Sequence, residues 1–500
     1  MNAVSLTIFI VLFVGIAIIG LFAGRWRPPA AGLTSLEEWG LGGRRFGTLV
    51  TWFLIGGDIY TAYTFIAVPA LVFGKGALGL FALPYTVIVY PFIYVVIPKL
   101  WRISKANGYV TASDFVRHRF DSRALALMVA VTGIGATMPY IALQIFGIQV
   151  VLSQMGVPVE ASLVIAFLVL AVFTYVSGLR APALIAVVKD ALIWITVIVM
   201  IVYIPIHLGG YGAIFAHVPP AKLILSPQLY GAYASLALGS ALALFLYPHA
   251  LTGVFGAKSE RVVKRNAALL PAYSFLLGLI AILGYMAIAA GVHASKTYGA
   301  NSAVPALVAQ LFPSWFVGFA FAAIAIGALV PASVMSIAAA NLFSRNIYRD
   351  LIRPSADQAE EANVSKIASL VVKVGALLFI LVVPTTFIIN FQLAGGVWIL
   401  QTLPAVILAM YAGWLRRGAV IAGWAVGMAW GTLMLVQEGF ASSVQAFNFL
   451  GLKSILYIAL VALVANLVVV VVWSVVARVL AGVPKGYGMI ESQSPAVVEA

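Results

Sequence analysis

Apolar stretches of about 20 residues, each long enough to cross a bilayer as a helix, recur from one end of this 500-residue chain to the other. No other feature restricts the fold so strongly. Hydrophobic residues make up 63% of the sequence and charged residues only 9%, whereas about a quarter of an ordinary soluble domain is charged. Lipid must therefore be the solvent for most of the chain, and the fold class is an all-α polytopic membrane protein. Zero cysteines exclude disulfides and thiol chemistry. The first apolar run, Val4 to Ala23, is too long for a signal-peptide core and no A-x-A site follows it, so it reads as a true helix. The tail beyond Val483, PKGYGMIESQSPAVVEA, is polar and reads as disordered.

Thirteen spans can be placed, at about 3–23, 46–74, 77–98, 122–155, 160–177, 182–207, 228–256, 267–292, 314–343, 364–390, 392–413, 415–437 and 454–482. An odd count puts the termini on opposite sides. With the N-terminus outside, 23 of the 29 Lys and Arg residues fall in cytoplasmic loops and tail or at the cytoplasmic ends of the adjoining spans, against 4 in outer loops. Lys189 and Lys373 lie within spans. Cytoplasmic loops retain cations because translocating them is disfavoured, so this asymmetry supports count and orientation together. It also explains the net charge of +14 without nucleic acid as a partner.

Four spans carry features that weaken a helix. The second reads FLIGGDIYTAYTFIAVPALVFGKG. Gly56 and Gly57 remove side chains where backbones approach or unwind, and Pro69 lacks the N–H of a continuous helix. Asp58 beside them costs at least a few kcal/mol at this depth and marks a pathway or a partner. The seventh span is interrupted by Pro248-His249, and the ninth contains Pro331. The eleventh has Gly395-Gly396 and Pro404 around Gln401. Freed backbone groups are tolerated in a membrane only where protein or a water-filled cavity satisfies them. Discontinuous helices at mid-membrane are how many secondary transporters build ion and substrate sites.

These residues resemble the sodium:solute symporter family, which has the LeuT-type fold. The stretches EEWGLGGRRFG, YVTASDFVRHRF and SRNIYRD carry the likeness, together with Pro248-His249. It covers about residues 3–480 and is nearest to the monocarboxylate permease branch, by GGDIYTAYTFIAVPALVFGKG, MPYIALQIFGIQ and AGGVWILQTLPAV. The resemblance implies a core of two inverted five-helix repeats, residues 46–207 and 208–413. Segments 1–45 and 414–482 would be peripheral, with a tail at 483–500. A small solute would bind between spans 2, 4, 7, 9 and 11, in the plasma membrane and with no cofactor. The oligomeric state stays open.

Sodium-coupled relatives hold the ion between second-span carbonyls and the ninth span. Carried onto this chain by FIAVP, the carbonyls are those of Gly57 and Tyr60; anchored on Asp58 they become Gly56 and Ile59. The ninth-span ligands fall on Gly327, Val330 and Pro331, where two apolar side chains replace oxygen donors. A six-residue slip would restore Ser333 and Ser336. The sixth span departs in step, with Ala186 where relatives place an acidic residue and Lys189 one turn later. Some proton-coupled LeuT-type carriers put a lysine into the vacant sodium site. Lys189 is therefore expected to fill that role and to exchange its proton with Asp58; its alternative is a snorkelling side chain paired with Asp190. The coupling ion, H+ or Na+, stays open here.

The branch resemblance implies a small monocarboxylate or an alanine-like amino acid as solute. An anionic headgroup suits the free N–H groups of a broken helix, where Thr61, Tyr63 and Thr64 can donate. Tyr140, Gln144 and Gln401 are the other polar groups placed to reach a cavity, each with helix–helix hydrogen bonding as its competing role. No arginine lies deep in a span to clamp a carboxylate. A channel would need a lined, continuous pore, which the scattered breaks and few intramembrane charges argue against. An intramembrane enzyme would need paired aspartates or H-E-x-x-H, which the sequence lacks. A membrane sensor, which usually carries a cytoplasmic signalling domain, stays as the third reading after proton- and sodium-coupled transport.

Overall fold

The computed structural model describes residues 2–23, 34–58, 60–449 and 451–481. Among these, ten helices are long and apolar enough to cross a membrane. An eleventh span arises if Pro220–Leu244 and Pro248–Phe255, bent by 44°, are taken together. The thirteen spans expected exceed this count. The second and third expected spans run together as the helical stretch Tyr63–Asn107, and the apolar helices Thr48–Gly57 and Val159–Val172 are short. Arg25, Arg27, Ile59, Lys485 and the tail 483–500 lie outside the described residues.

Burial separates core from rim. The Ser314–Ile352 and Ile389–Met410 helices have 89% of their apolar window covered by protein, against 39% for Gln358–Val382, Arg417–Gln437 and Ile458–Leu480. Lipid-exposed apolar surface on the second group needs no cover, because the bilayer solvates it. An unexpected antiparallel hairpin pairs Val444–Phe449 with Leu452–Tyr457. Residues 454–457, assigned to the last span from sequence, are thus strand, and the helix begins at Ile458. The Tyr457 N–H donates to Ser235 Oγ at 2.8 Å and ties the hairpin to the Tyr230–Leu244 helix.

Three of the stretches that carried the family likeness meet at the arginine-rich end of the bundle. Glu38 pairs with Arg45 and Arg180. Thr111 caps the Ala112–Phe120 helix through a reciprocal box with Asp114, satisfying two of its orphan donors. Asn346 then donates to Asp114 Oδ1 at 2.8 Å and accepts from the Thr111 hydroxyl at 2.8 Å. Arg44 is buried and paired with Glu37 at 3.0 Å. Burial pulls its guanidinium below the usual arginine range, and Glu37 opposes that.

Candidate functional site

The second span is broken where the sequence suggests, but at Asp58, Tyr60 and Thr61 rather than at its proline. Helix Thr48–Gly57 ends, the chain runs irregularly, and a π-helical turn at Tyr63–Ala67 leads into Val68–Lys75. Such π-turns concentrate at functional sites. Pro69 is not the breaker expected of it; it sits in the first turn of the resumed helix, where its missing N–H is harmless. The paired glycines make room for side chains rather than for backbones. A Cβ on Gly56 would collide with the Tyr273 ring, and one on Gly57 would lie 3.1 Å from Lys189 Nζ.

Lys189 occupies the break. Its ammonium, on the Arg180–His207 helix, donates to the carbonyls of Gly57 and Tyr60, each at 3.2 Å. It forms an ion pair with Asp190 at 2.5 Å, both side chains being fully buried. Snorkelling is thereby ruled out for this side chain. Asp58, the expected proton partner, is also buried and leaves Oδ2 without a hydrogen-bond partner; the carboxylate that Lys189 pairs with is Asp190. On the far side of the break, Gln144 Oε1 accepts from the Ala62 N–H at 2.9 Å. Its amide therefore caps the resumed helix instead of projecting into open space.

The seventh span breaks over Phe245–Tyr247, and Pro248 opens the next helix. Here Tyr140, Tyr247 and His249 form a triangle of rings with centroids 5.4–5.5 Å apart. The Tyr247 hydroxyl donates to the Gln392 carbonyl at 2.8 Å, whereas both ring nitrogens of the buried His249 have no partner. The buried Tyr63 hydroxyl also has none. Thr61 and Thr64 are buried beside it; the Thr61 hydroxyl accepts from the Tyr63 N–H at 3.0 Å, and Thr64 also has a partner. A narrow cavity opens next to this break towards the arginine-rich end. Leu246, Pro248, Thr252, Val129, Leu342 and Ile399 are among its lining, with Thr111 and Thr402 the other hydroxyls.

The other expected weak points behave differently. The ninth-span helix Ser314–Leu342 runs through Pro331 without a break, although Pro331 leaves the Gly327 carbonyl without its helical donor. Gly327 faces Ile193, one turn beyond Lys189, and Val330 is buried nearby. Ser333 and Ser336 donate back to Leu329 and Ala332 of their own helix, at 2.9 and 2.7 Å. Gly395 and Gly396 lie inside the intact helix Ile389–Ile399, giving space to the Ala136 carbonyl and the Tyr457 hydroxyl; the irregular turn follows at Leu400–Thr402. Gln401 points away from both breaks. Its amide donates to Val397 and accepts from Asn466 of the last helix, at 2.9 and 3.2 Å. Sequence reasoning missed Tyr273, whose hydroxyl donates to Asp190 Oδ2 at 2.5 Å; nothing local in PAYSF signals a partner 83 residues earlier.

Two spans broken at the middle of a helical bundle, one filled by a buried lysine and one beside a cavity, define a carrier of the LeuT-type class rather than an enzyme. The sodium:solute symporter family model matches residues 39–427, and the chain belongs to that family. It is 53% identical over 478 residues, covering 94% of this chain and 96% of the relative, to a monocarboxylate transport permease protein of Rhizobium johnstonii. It is 36% identical over 438 residues to YodF, an uncharacterised symporter of Bacillus subtilis, covering 86% and 87% of the two chains. In three dimensions it resembles a Na+-coupled sialic acid symporter in a substrate-bound outward-open state. That match has a TM-score of 0.75 at 14% identity and covers 95% of this chain and 98% of the other.

Proposed function

We propose that this symporter imports a small monocarboxylate, such as lactate, pyruvate or a short-chain acid, in company with a proton. An alanine-like amino acid is the neighbouring solute class. The observation that carries the proton is Lys189 Nζ, 3.2 Å from the carbonyls of both Gly57 and Tyr60. A protonated lysine at that point supplies the positive charge that a metal ion would supply, and its release would free the two half-helices to move. The apolar Val330 and Pro331, at the ninth-span positions where the family resemblance places oxygen donors, support the same reading.

The solute class draws on the 53% identical permease and on the cavity. Apart from three threonines its lining is almost entirely apolar, which suits an acid with a short aliphatic body and gives a polyhydroxylated sugar few partners. Tyr63, His249 and, when protonated, Asp58 have buried polar atoms still to satisfy and are the groups assigned to the solute, with Thr61, Thr64 and Tyr140 around them; none of them lines the cavity itself. The thirteen-span count, the inverted repeats 46–207 and 208–413, the outside N-terminus and a plasma-membrane location belong to this reading. So does the placement of the two breaks, one near the start of each repeat. Sodium coupling is the second reading, favoured by the unfilled Gly327 carbonyl. Uptake of radiolabelled lactate, pyruvate, acetate and alanine into proteoliposomes, with proton and sodium gradients imposed separately, decides between them. Proton-driven accumulation without sodium is expected; a requirement for external sodium at every pH overturns the proposal.

A further inference from the structure

Lys189 and Asp190 are consecutive on one helix, so their side chains leave the axis about 100° apart. Their pairing at 2.5 Å requires something to turn the carboxylate. That something is visible on a third element. Tyr273, on the Pro271–Ala281 helix, donates its hydroxyl to Asp190 Oδ2 at 2.5 Å, while Lys189 takes Oδ1. The tyrosine is itself held on several sides. Its ring occupies the space left by Gly56, packs on Trp52 at 4.9 Å and on Tyr60 at 4.5 Å, and has Trp194 at 6.3 Å. The Tyr60 hydroxyl donates to the Tyr273 carbonyl at 3.3 Å.

We propose that Asp190 is the fixed counter-charge that keeps the Lys189 ammonium on the broken helix, and that Tyr273 is the positioning residue that holds Asp190 in place. The inference rests on the proton-coupled reading above and deepens it: the unit that exchanges the proton is the pair, oriented from the eighth span, and not the lysine alone. When the pair gives up its proton, an N–H bond of Lys189 breaks and the proton passes to water in the opened pathway. The amine keeps the electron pair, and Asp190 stays anionic with Tyr273 donating to it. The carbonyls of Gly57 and Tyr60 then lose their cation.

Few other charges complicate the pair. Asp58, Tyr60 and Tyr273 lie within its electrostatic reach, and Tyr90, on the Ala82–Asn107 helix, reaches the two tyrosines. The helices Ala3–Ala23 and Ser314–Leu342 also pack on Arg180–His207 and contain no titratable residue.

Proteoliposomes carrying wild type, Asp190→Asn or Tyr273→Phe test this, with initial lactate uptake measured against external pH and thermal unfolding of each protein followed in detergent. Asp190→Asn should shift half-maximal proton-driven uptake to lower pH by about one unit or more, since a cation that loses its counter-charge binds its proton less tightly. Tyr273→Phe keeps the ring that fills the Gly56 space and loses only the hydroxyl, so it should shift the profile the same way by less. A cooperative thermal-unfolding transition in detergent certifies the fold of both variants; if Asp190→Asn shows none, Tyr273→Phe decides alone. An unshifted or alkaline-shifted Tyr273→Phe profile, with wild type still proton-driven, overturns the inference and leaves the coupling reading intact. No proton-driven uptake by wild type removes both.

Discussion

The two broken spans solve the same problem in opposite ways. At Asp58, Tyr60 and Thr61 the freed backbone groups are satisfied by the protein itself: Lys189 donates to Gly57 and Tyr60, and Gln144 accepts from Ala62. At Phe245–Tyr247 both nitrogens of the adjacent His249 are buried and unpartnered and a cavity opens beside Leu246 and Pro248, while the side chains of Asp58 and Tyr63 keep unpartnered oxygens at the first break. Buried polar atoms without partners cost about 1–3 kcal/mol each, so they persist where something else is meant to satisfy them. The contrast teaches a division of labour. The first break has its cation built in, and the unpartnered side chains of both breaks, His249 at the second among them, are what the proposed solute would satisfy.

The most severe way to break that comparison is to empty the first break. Lys189→Met keeps the side-chain length and removes the charge, leaving Asp190 buried with only the Tyr273 hydroxyl to support it. Removing one partner of a buried ion pair typically costs about 3–5 kcal/mol. Thermal unfolding in detergent should show that loss, and proton-driven uptake should vanish. Adding Asp190→Asn to Lys189→Met should recover most of the stability and none of the accumulation. Recovery of uptake as well would show that the lysine's charge is structural.

The second break should respond in binding rather than in coupling. His249→Phe keeps a ring against Tyr140 and Tyr247 and removes both unpartnered nitrogens. The expected result is a KM for lactate raised about tenfold or more, equivalent to one charge-assisted hydrogen bond, with an unchanged pH profile and unchanged or higher thermal stability. If affinity stays at the wild-type value, the guest does not sit at this break.

How far sequence could see into these two regions follows from the range of the forces involved. Pro248 and the adjacent Gly56-Gly57 are local signals, and both pointed to real interruptions because backbone hydrogen bonding is itself local. Pro331 carried the same kind of signal, but the ninth-span helix continues through it, buried on nearly all sides. Lys189 was legible because an ammonium in an apolar run demands a partner, and the family register supplied the carbonyls of Gly57 and Tyr60. Its companion was harder. Asp190 was read only as the partner of a snorkelling lysine, and Tyr273 was invisible, because its contact with Asp190 depends on how the eighth span packs. Gln401 was misplaced for the same reason: periodicity puts it on a helix, but only packing decides that it faces Asn466. The hairpin went unread because residues 444–453 were placed in the loop before the last span and 454–457 in the span itself, whose apolar run reads equally well as helix.

A gentler test separates filling from catalysis at the first break. Gln144→Leu keeps the volume and removes the acceptor for the Ala62 N–H. The uncapped donor should lower stability by about 1–2 kcal/mol, with the pH profile unchanged because Lys189 and Asp190 are untouched. A shift in that profile would place Gln144 in the coupling unit and blur the line between the capped and charged sides of the break.

The smallest expected effect comes from the cavity beside the second break. Thr252 contributes one of its three hydroxyls, the others belonging to Thr111 and Thr402, and Thr111 already donates to Asn346. Thr252→Val preserves shape and removes that hydroxyl. For a monocarboxylate whose body is aliphatic, the loss should change lactate uptake by no more than about fivefold, the equivalent of a single neutral hydrogen bond of about 1 kcal/mol. A polyhydroxylated solute would depend on each hydroxyl in so apolar a passage, because its own buried groups would go unpaired. The size of the effect therefore measures how much of the guest is polar, which is the property that most separates a monocarboxylate carrier from a sugar carrier of the same fold.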